Sequence, residues 1–232
     1  MAGGEKKMKR LDRIISERGG YSRKQASLLV RKKRVTSAGV LLSNSAKKMP
    51  EDIPLEIDES PLAALPLVIA FHKPEGVVST ESDPVGRSCV GDWLPPRFHI
   101  VGRLDAETHG LLLFSRDGPL TQKMLHPKFM TEREYIAIVE GTPTPELISR
   151  LAVGVETSLG LAQARVLELG DDWVRLVVTE GRNRIVRRML HNAGHSVLDL
   201  ERVRFGGIHL GELSEGASRN VLQDELTGWR EL

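Results

Sequence analysis

Leu11, Ile14 and Ile15 recur at helical spacing, which predicts a short amphipathic helix running to about Glu17 and stopped by Gly19 and Gly20. A second helix follows. Ser22 stands three residues before Gln25, the arrangement of a capping box, and Ala26, Leu29 and Val30 then form an inner face through about Lys33. Arg34 to Thr36, the turn Ser37-Ala38-Gly39, and Val40 to Leu42 read as a small hairpin, to which Ile53 to Ile57 adds a third strand. The segment ESPLAALP, Glu59 to Pro66, carries two prolines and reads as a linker.

From Leu67 the period changes. Short apolar or alternating runs predict strands at Val68 to Phe71, Ile100 to Val101, Leu111 to Ser115, Tyr135 to Glu140, Ala164 to Leu169 and Trp173 to Thr179. Helical patterns fit Leu120 to Leu125, Pro145 to Leu151 and Arg184 to Asn192. The expected fold class is therefore α+β: a small amino-terminal α/β module over residues 8–58, a linker at 59–66, and a larger domain over 67–232 with a mainly antiparallel sheet.

Charge changes this picture at one end. The net charge is only +2, yet fourteen Lys or Arg lie between Lys6 and Lys48 against Asp12 and Glu17 alone. Arg23, Lys24, Arg31 and Lys32 stand on the outward face of the second helix, so the positive charge is carried by an ordered surface suited to a phosphate backbone. One cysteine, Cys89, excludes an intramolecular disulfide and any multi-cysteine zinc site. No apolar run is long enough to span a bilayer, and the start MAGGEKKMKR lacks a secretory core. A soluble cytoplasmic protein, or one in an organelle of bacterial origin, is expected.

Two segments can carry chemistry. In GRLDAETHGLLLFSRDG, Gly102 to Gly118, a carboxylate sits in a glycine-bounded loop ahead of an apolar strand; in an extended loop Arg103 and Asp105 leave one face while Leu104 points inward. A plain turn, with Asp105 and Thr108 capping backbone donors, fits the same spacing. In EGRNRIVRRML, Glu180 to Leu190, four arginines, Arg182, Arg184, Arg187 and Arg188, fall within seven residues. The last three share one side of a helix, which serves equally for phosphate, for a carboxylate, or as a solvated face.

Two smaller pieces complete an ordered set: Lys73-Pro74-Glu75-Gly76 after the strand VIAFH, and Glu132-Arg133-Glu134-Tyr135 entering YIAIVE. In this order the four motifs resemble those of pseudouridine synthases, closest to the RsuA-type enzymes of ribosomal RNA, and the resemblance covers almost the whole chain. It implies that Asp105 is the catalytic aspartate, Tyr135 the residue stacking on the target base, Arg187 the cation paired with Asp105, and Arg103 a contact of the flipped nucleotide's surroundings. It also implies substrate contacts from Lys73, Arg182, Arg184 and Arg188. The amino-terminal module resembles the alpha-L RNA-binding domain, which would place Arg23, Lys24, Arg31 and Lys32 on RNA. One departure stands out: Ile185 occupies a position where glutamine is common.

The implied reaction breaks the bond from ribose to uracil nitrogen, turns the base, and rejoins the ribose at carbon 5. It needs no redox change or energy input, so no cofactor is expected. The implied partner is ribosomal RNA or a pre-ribosomal particle, met by a monomer. Three rivals stand beside this reading. A non-catalytic RNA-binding assembly factor would keep the module and lose the chemistry. A glycoside hydrolase needs a second facing carboxylate, for which Glu107 is nearest. A metal enzyme has His191 and His195 at i, i+4 without a third ligand, while Asp199 and Glu201 read as isolated, so no metal is expected.

Overall fold

The structure, a computed structural model, describes residues 7–62 and 65–230. The chain divides into two units, Met1–Leu65 and Pro66–Leu232. Two positions of the expected linker, Ala63 and Ala64, lie outside the described residues.

In the first unit β1 (Met8–Arg10) leads into α1 (Leu11–Gly19), and α2 (Arg23–Arg31) follows. The Ser22 side chain accepts from the Gln25 N–H at 3.1 Å while the Gln25 side chain accepts from the Ser22 N–H at 2.8 Å, so two otherwise orphaned donors are satisfied at the start of α2. Leu11, Ile14 and Ile15 of α1 and Ala26, Leu29 and Val30 of α2 close a core with Val35, Leu42, Leu55 and Ile57. Beneath the helices β2 (Val35–Ser37), β3 (Val40–Leu41), β5 (Glu56–Ile57) and β6 (Ser60–Pro61) form a sheet in the order β3-β2-β5-β6, while β4 (Lys48–Pro50) pairs with β1. Part of the expected linker is thus a strand. Pro61 is tolerated because β6 is an edge, where a missing N–H breaks no ladder.

The second unit is built on a sheet whose main path comprises seven strands. In chain order these are β7 (Val68–Lys73), β9 (His109–Ser115), β10 (Arg133–Val139), β13 (Arg165–Leu169), β14 (Trp173–Val178), β15 (Val197–Phe205) and β17 (Ser218–Asn220). Their spatial order is β13-β14-β10-β15-β9-β7-β17, with β8 (His99–Val101) on β9 and β16 (Ile208–His209) on β15. Only the β15–β9 pair is parallel. A separate hairpin joins β11 (Val155–Thr157) and β12 (Gly160–Ala162).

Both faces of this sheet are covered, which explains the unbroken apolar runs of β7 and β9. Ile69, Phe71, Leu112 and Phe114 face a core closed by α4 (Pro145–Val153) and α5 (Ile185–Asn192). Val68, Ala70, Leu111 and Leu113 face the opposite core, closed by α3 (Gly118–Leu125) and α6 (Thr227–Arg230). Leu111, Leu112, Leu113 and Phe114 are wholly buried. At about 1.5–3 kcal/mol per buried side chain, this strand is the anchor from which the preceding loop is hung. The central strand β15, with four charged residues among nine, is the longest of the elements that hydrophobic patterning did not predict, the others in this unit being the short β11, β12, β16, β17 and α6.

Candidate active site

The loop between Gly102 and Thr108 is fixed from three directions. The Ser79 hydroxyl donates to Leu104 O at 2.8 Å and accepts from the Leu104 N–H at 3.1 Å. Ala106 O accepts from the Gly76 N–H at 2.8 Å and from Lys73 Nζ at 3.3 Å. From the far side Arg187 Nη2 donates to Glu107 O at 2.7 Å, and Arg184 Nη2 pairs with Glu107 Oε2 at 2.7 Å. Leu104 plugs the core, and the Thr108 N–H closes a turn on Asp105 O at 3.0 Å. The turn and the site are therefore the same object.

Beside this loop lies a cavity of about 780 Å³, within the size range of small-ligand sites. Asp105, Arg103, Tyr135, Arg133, Arg184 and Arg202 contribute polar groups to it, and Leu125, Pro127, Met130 and Phe205 give it apolar walls. The half-buried Asp105 carboxylate makes no hydrogen bond or ion pair with any described residue. Its charge is nevertheless felt nearby. Arg184 is held above the ordinary arginine value, first by its hydrogen bond to Glu107, with smaller upward pulls from Glu107 and Asp105 as charges against a burial cost. Lys73, wholly buried, is pushed down to about 8 by desolvation, against the pull of Glu75, Asp105 and Glu215.

Strand register supplies the cavity's other wall. Glu134 pairs with Arg204 but the next residue, Tyr135, pairs with Arg202, so Val203 is the extra residue of a bulge on β15. Arg202 then lies in one row between Tyr135 on β10 and Gly110 on β9. Gly110 is required there. Its φ is +98°, and a Cβ would stand 2.5 Å from Arg202 O and 2.8 Å from Arg202 N. The Arg202 and Arg133 guanidinium carbons sit 5.2 and 5.0 Å from the centroid of Phe205. Arg202 Nε donates to Leu111 O at 2.8 Å, while its Nη2 and the Thr108 hydroxyl are buried without a partner.

Comparison with known proteins gives the chain a family. Residues 67–192 match the family model for RNA pseudouridylate synthase. The chain belongs to that family. This pseudouridine synthase is 34% identical to "Ribosomal large subunit pseudouridine synthase B" of Bacillus subtilis, over 97% of each chain. It is 36% identical to the Vibrio cholerae protein of the same name, over 87% of this chain and 67% of the other. A solved structure described as that of a pseudouridylate synthase superposes with a TM-score of 0.65 at 26% identity, covering 95% of this chain and 99% of its own. The enzyme is thus an isomerase, and its mixed α/β fold with a largely antiparallel sheet is the one expected from the sequence.

Of the residues singled out in the sequence, the structure brings Arg103, Asp105, Tyr135, Arg182 and Arg184 to one cavity. Arg187 and Lys73 are placed differently. No ion pair joins Arg187 to Asp105: the guanidinium is spent on Glu107 O and, at 3.1 Å, Val197 O, with its Nε buried without a hydrogen bond, 4.0 Å from Glu107 Oε2. Arg184 is not in the helix but caps it in a left-handed conformation, φ 54°, so the three arginines do not share one helical face. Arg188 turns away to Asn183 O and the Ser158 hydroxyl. Arg182 is tied to Glu180 and, at 2.7 Å, to Leu161 O. Lys73 likewise does not line the cavity; its ammonium donates to Pro74 O at 2.6 Å, Val77 O at 2.7 Å and Ala106 O, and so braces the Asp105 loop.

Arg133, Arg202 and Thr108 were missed in the sequence. Arg133 lay in plain view within Glu132-Arg133-Glu134-Tyr135, where a buried arginine is the unexpected reading; Arg202 could be found only once β15 was placed centrally. In the first unit Arg23 pairs with the buried Asp12 at 2.8 Å, whereas Lys24, Arg31 and Lys32 are exposed and have no partner among the described residues. No helix among the described residues is long and apolar enough to cross a membrane.

Proposed function

We propose that this enzyme converts a uridine of large-subunit ribosomal RNA to pseudouridine, with Asp105 as the catalytic carboxylate. One observation carries the reading: Asp105 is an unpartnered carboxylate on a braced loop, facing a cavity in which cations and Tyr135 converge. The names of the matching relatives supply the substrate class.

The target uracil must leave its stack to enter the cavity, at a cost of a few kcal/mol. Tyr135 offers a ring face to the extruded base, and Arg103, exposed at the rim, is placed to occupy the gap it leaves. Asp105 then acts on the ribose or base as nucleophile, or stabilises positive charge while the glycosidic bond breaks. Arg184 and, through the loop, Lys73 bring positive charge near it; Arg187 holds the loop rather than the carboxylate. The freed uracil turns and forms its new bond through carbon 5. The proton on carbon 5 must depart and the former glycosidic nitrogen must gain one, and the Tyr135 phenol is the group at hand for this transfer.

The first unit is assigned to holding RNA. Lys24, Arg31 and Lys32 form its unpaired basic face, contributing affinity through phosphates and little sequence discrimination. With ribosomal RNA as substrate, the cytoplasm is the place of action.

The deciding measurement is tritium release from ribosomal RNA labelled at carbon 5 of uridine. Asp105→Asn is expected to abolish release while leaving RNA binding near normal. Full release by that variant would sink the assignment.

A further inference from the structure

We propose that His72, His109 and Glu201 form a binding site for one divalent transition-metal ion of the zinc class. The three residues come from β7, β9 and β15, three adjacent strands, and one ligand atom from each lies within 4.8 Å of the others. None lines the cavity of Asp105.

The hydrogen bonds around the two imidazoles select the tautomers that a metal needs. His72 Nδ1 lies 2.7 Å from Leu213 O, which can only accept, so Nδ1 carries the proton and Nε2 keeps its lone pair. That Nε2 is buried, has no hydrogen-bond partner, and stands 3.7 Å from Glu201 Oε1. His109 Nε2 lies 3.0 and 3.1 Å from the two Asp199 oxygens, which fixes its proton there and turns Nδ1 toward Glu201 Oε1 at 3.8 Å. Each ring thus gives its outer N–H to an oxygen and presents its inner nitrogen to the same carboxylate. Such outer bonds, to a carbonyl on one histidine and a carboxylate on the other, orient histidines that ligate metals.

The gaps favour an ion over a proton. A hydrogen bond from a protonated imidazole to Glu201 would draw nitrogen and oxygen to about 2.8 Å, and neither pair is near that distance. Donors sharing a tetrahedral ion at about 2.0–2.2 Å from each stand roughly 3.4 Å apart, within a few tenths of an ångström of both nitrogen–oxygen separations, and the two nitrogens lie within 4.8 Å of one another. Two imidazoles and one carboxylate suit zinc, cobalt or nickel rather than magnesium or calcium. His109 and Glu201 are partly exposed, so a fourth position is open to water. Gly110 leaves the room: a Cβ there would lie 2.9 Å from Glu201 Cγ.

Place in the chain gives the site a role. His109 directly follows the Asp105 loop and His72 directly precedes Lys73, which braces that loop. An ion held by β7, β9 and β15 would pin both segments at the one parallel seam of the sheet. Asp199 and Glu201, isolated in the sequence, are brought beside the two histidines by the β15–β9 register.

The test uses the full chain, free of any affinity tag and stripped with a chelator, titrated with Zn²⁺ against a chromophoric competitor. One equivalent should bind in the micromolar range or tighter. His72→Ala and His109→Ala should each weaken binding by about 100-fold or more, and Asp199→Ala by roughly 10- to 100-fold because it frees the His109 ring. His195→Ala, on the exposed histidine pair, should change nothing. Co²⁺ should give visible ligand-field bands that vanish in the His109 variant. Thermal melts without metal check that each variant is folded, and His109→Gln replaces the alanine variant if that one is not. Stoichiometric binding that survives loss of both His72 and His109, or no binding in the micromolar range, overturns the proposal.

Discussion

Replacing Lys73 by Met should change how the stability of the catalytic unit depends on pH. The ammonium is wholly buried, and its pKa of about 8 stands well below the ordinary 10.5. Between those two values the unfolded chain binds a proton that the folded one has released, so folding stability rises with pH through that window. The full gap corresponds to about 3 kcal/mol, most of it realised between pH 7 and pH 10. At pH 7 the variant gives up hydrogen bonds to three carbonyls, each about 1–3 kcal/mol if left unsatisfied, but it also sheds the cost of a buried charge, so the net loss there should be about 0–6 kcal/mol. Urea unfolding followed by tryptophan fluorescence isolates the relevant unit, since Trp93, Trp173 and Trp229 all lie after Leu65. Other titrating groups cancel in the difference. The gap between wild type and Lys73→Met should widen by about 2–3 kcal/mol from pH 7 to pH 10, roughly 1 M in urea midpoint. A gap that stays constant over this range would refute the account of Lys73 as a desolvated cation.

Two further substitutions probe the site and the module. Gly110→Ala drives a Cβ into the backbone of Arg202 at positive φ, which no side-chain rotation relieves; a loss of about 2–5 kcal/mol is expected, with a collapse of tritium release, and a wild-type melting curve would contradict it. Replacing Lys24, Arg31 and Lys32 together by alanine should lower the slope of log affinity against log salt by about 2 for single-stranded RNA. An unchanged slope would remove these residues from the RNA surface.

The elements that could be read in the sequence are those whose residues answer to one demand. β7 and β9 are buried on both faces and read as unbroken apolar runs; α2 announces its start with Ser22 and Gln25. β15 answers to several demands at once. Leu200 and Phe205 pack, Asp199 meets His109, Arg202 faces the cavity, and Arg204 bonds Glu132 at 2.9 Å and Glu134 at 2.7 Å, so no single period survives in Val197–Phe205. The same holds for the candidate site. Asp105 and Tyr135 could be found from motifs, whereas Arg202 depended on a bulge at Val203 that no local pattern announces. Arg187 was assigned to Asp105 through the resemblance, whereas its guanidinium here supports the loop that carries the carboxylate, a contact with Glu107 O that no motif spacing announces.

The bracing of that loop by Arg184 and Arg187 has a consequence for the order of events during synthesis. Glu107 waits 77 residues for Arg184 and 80 for Arg187. Such distant contacts are slow to form, because the chain between them must first be brought to order. While the carboxy-terminal third is still within a ribosome, the nascent enzyme holds its aspartate on a loop without its clamp. With Asp105 in its proposed role, competence waits until Arg184 and Arg187 have been made and folded onto the loop.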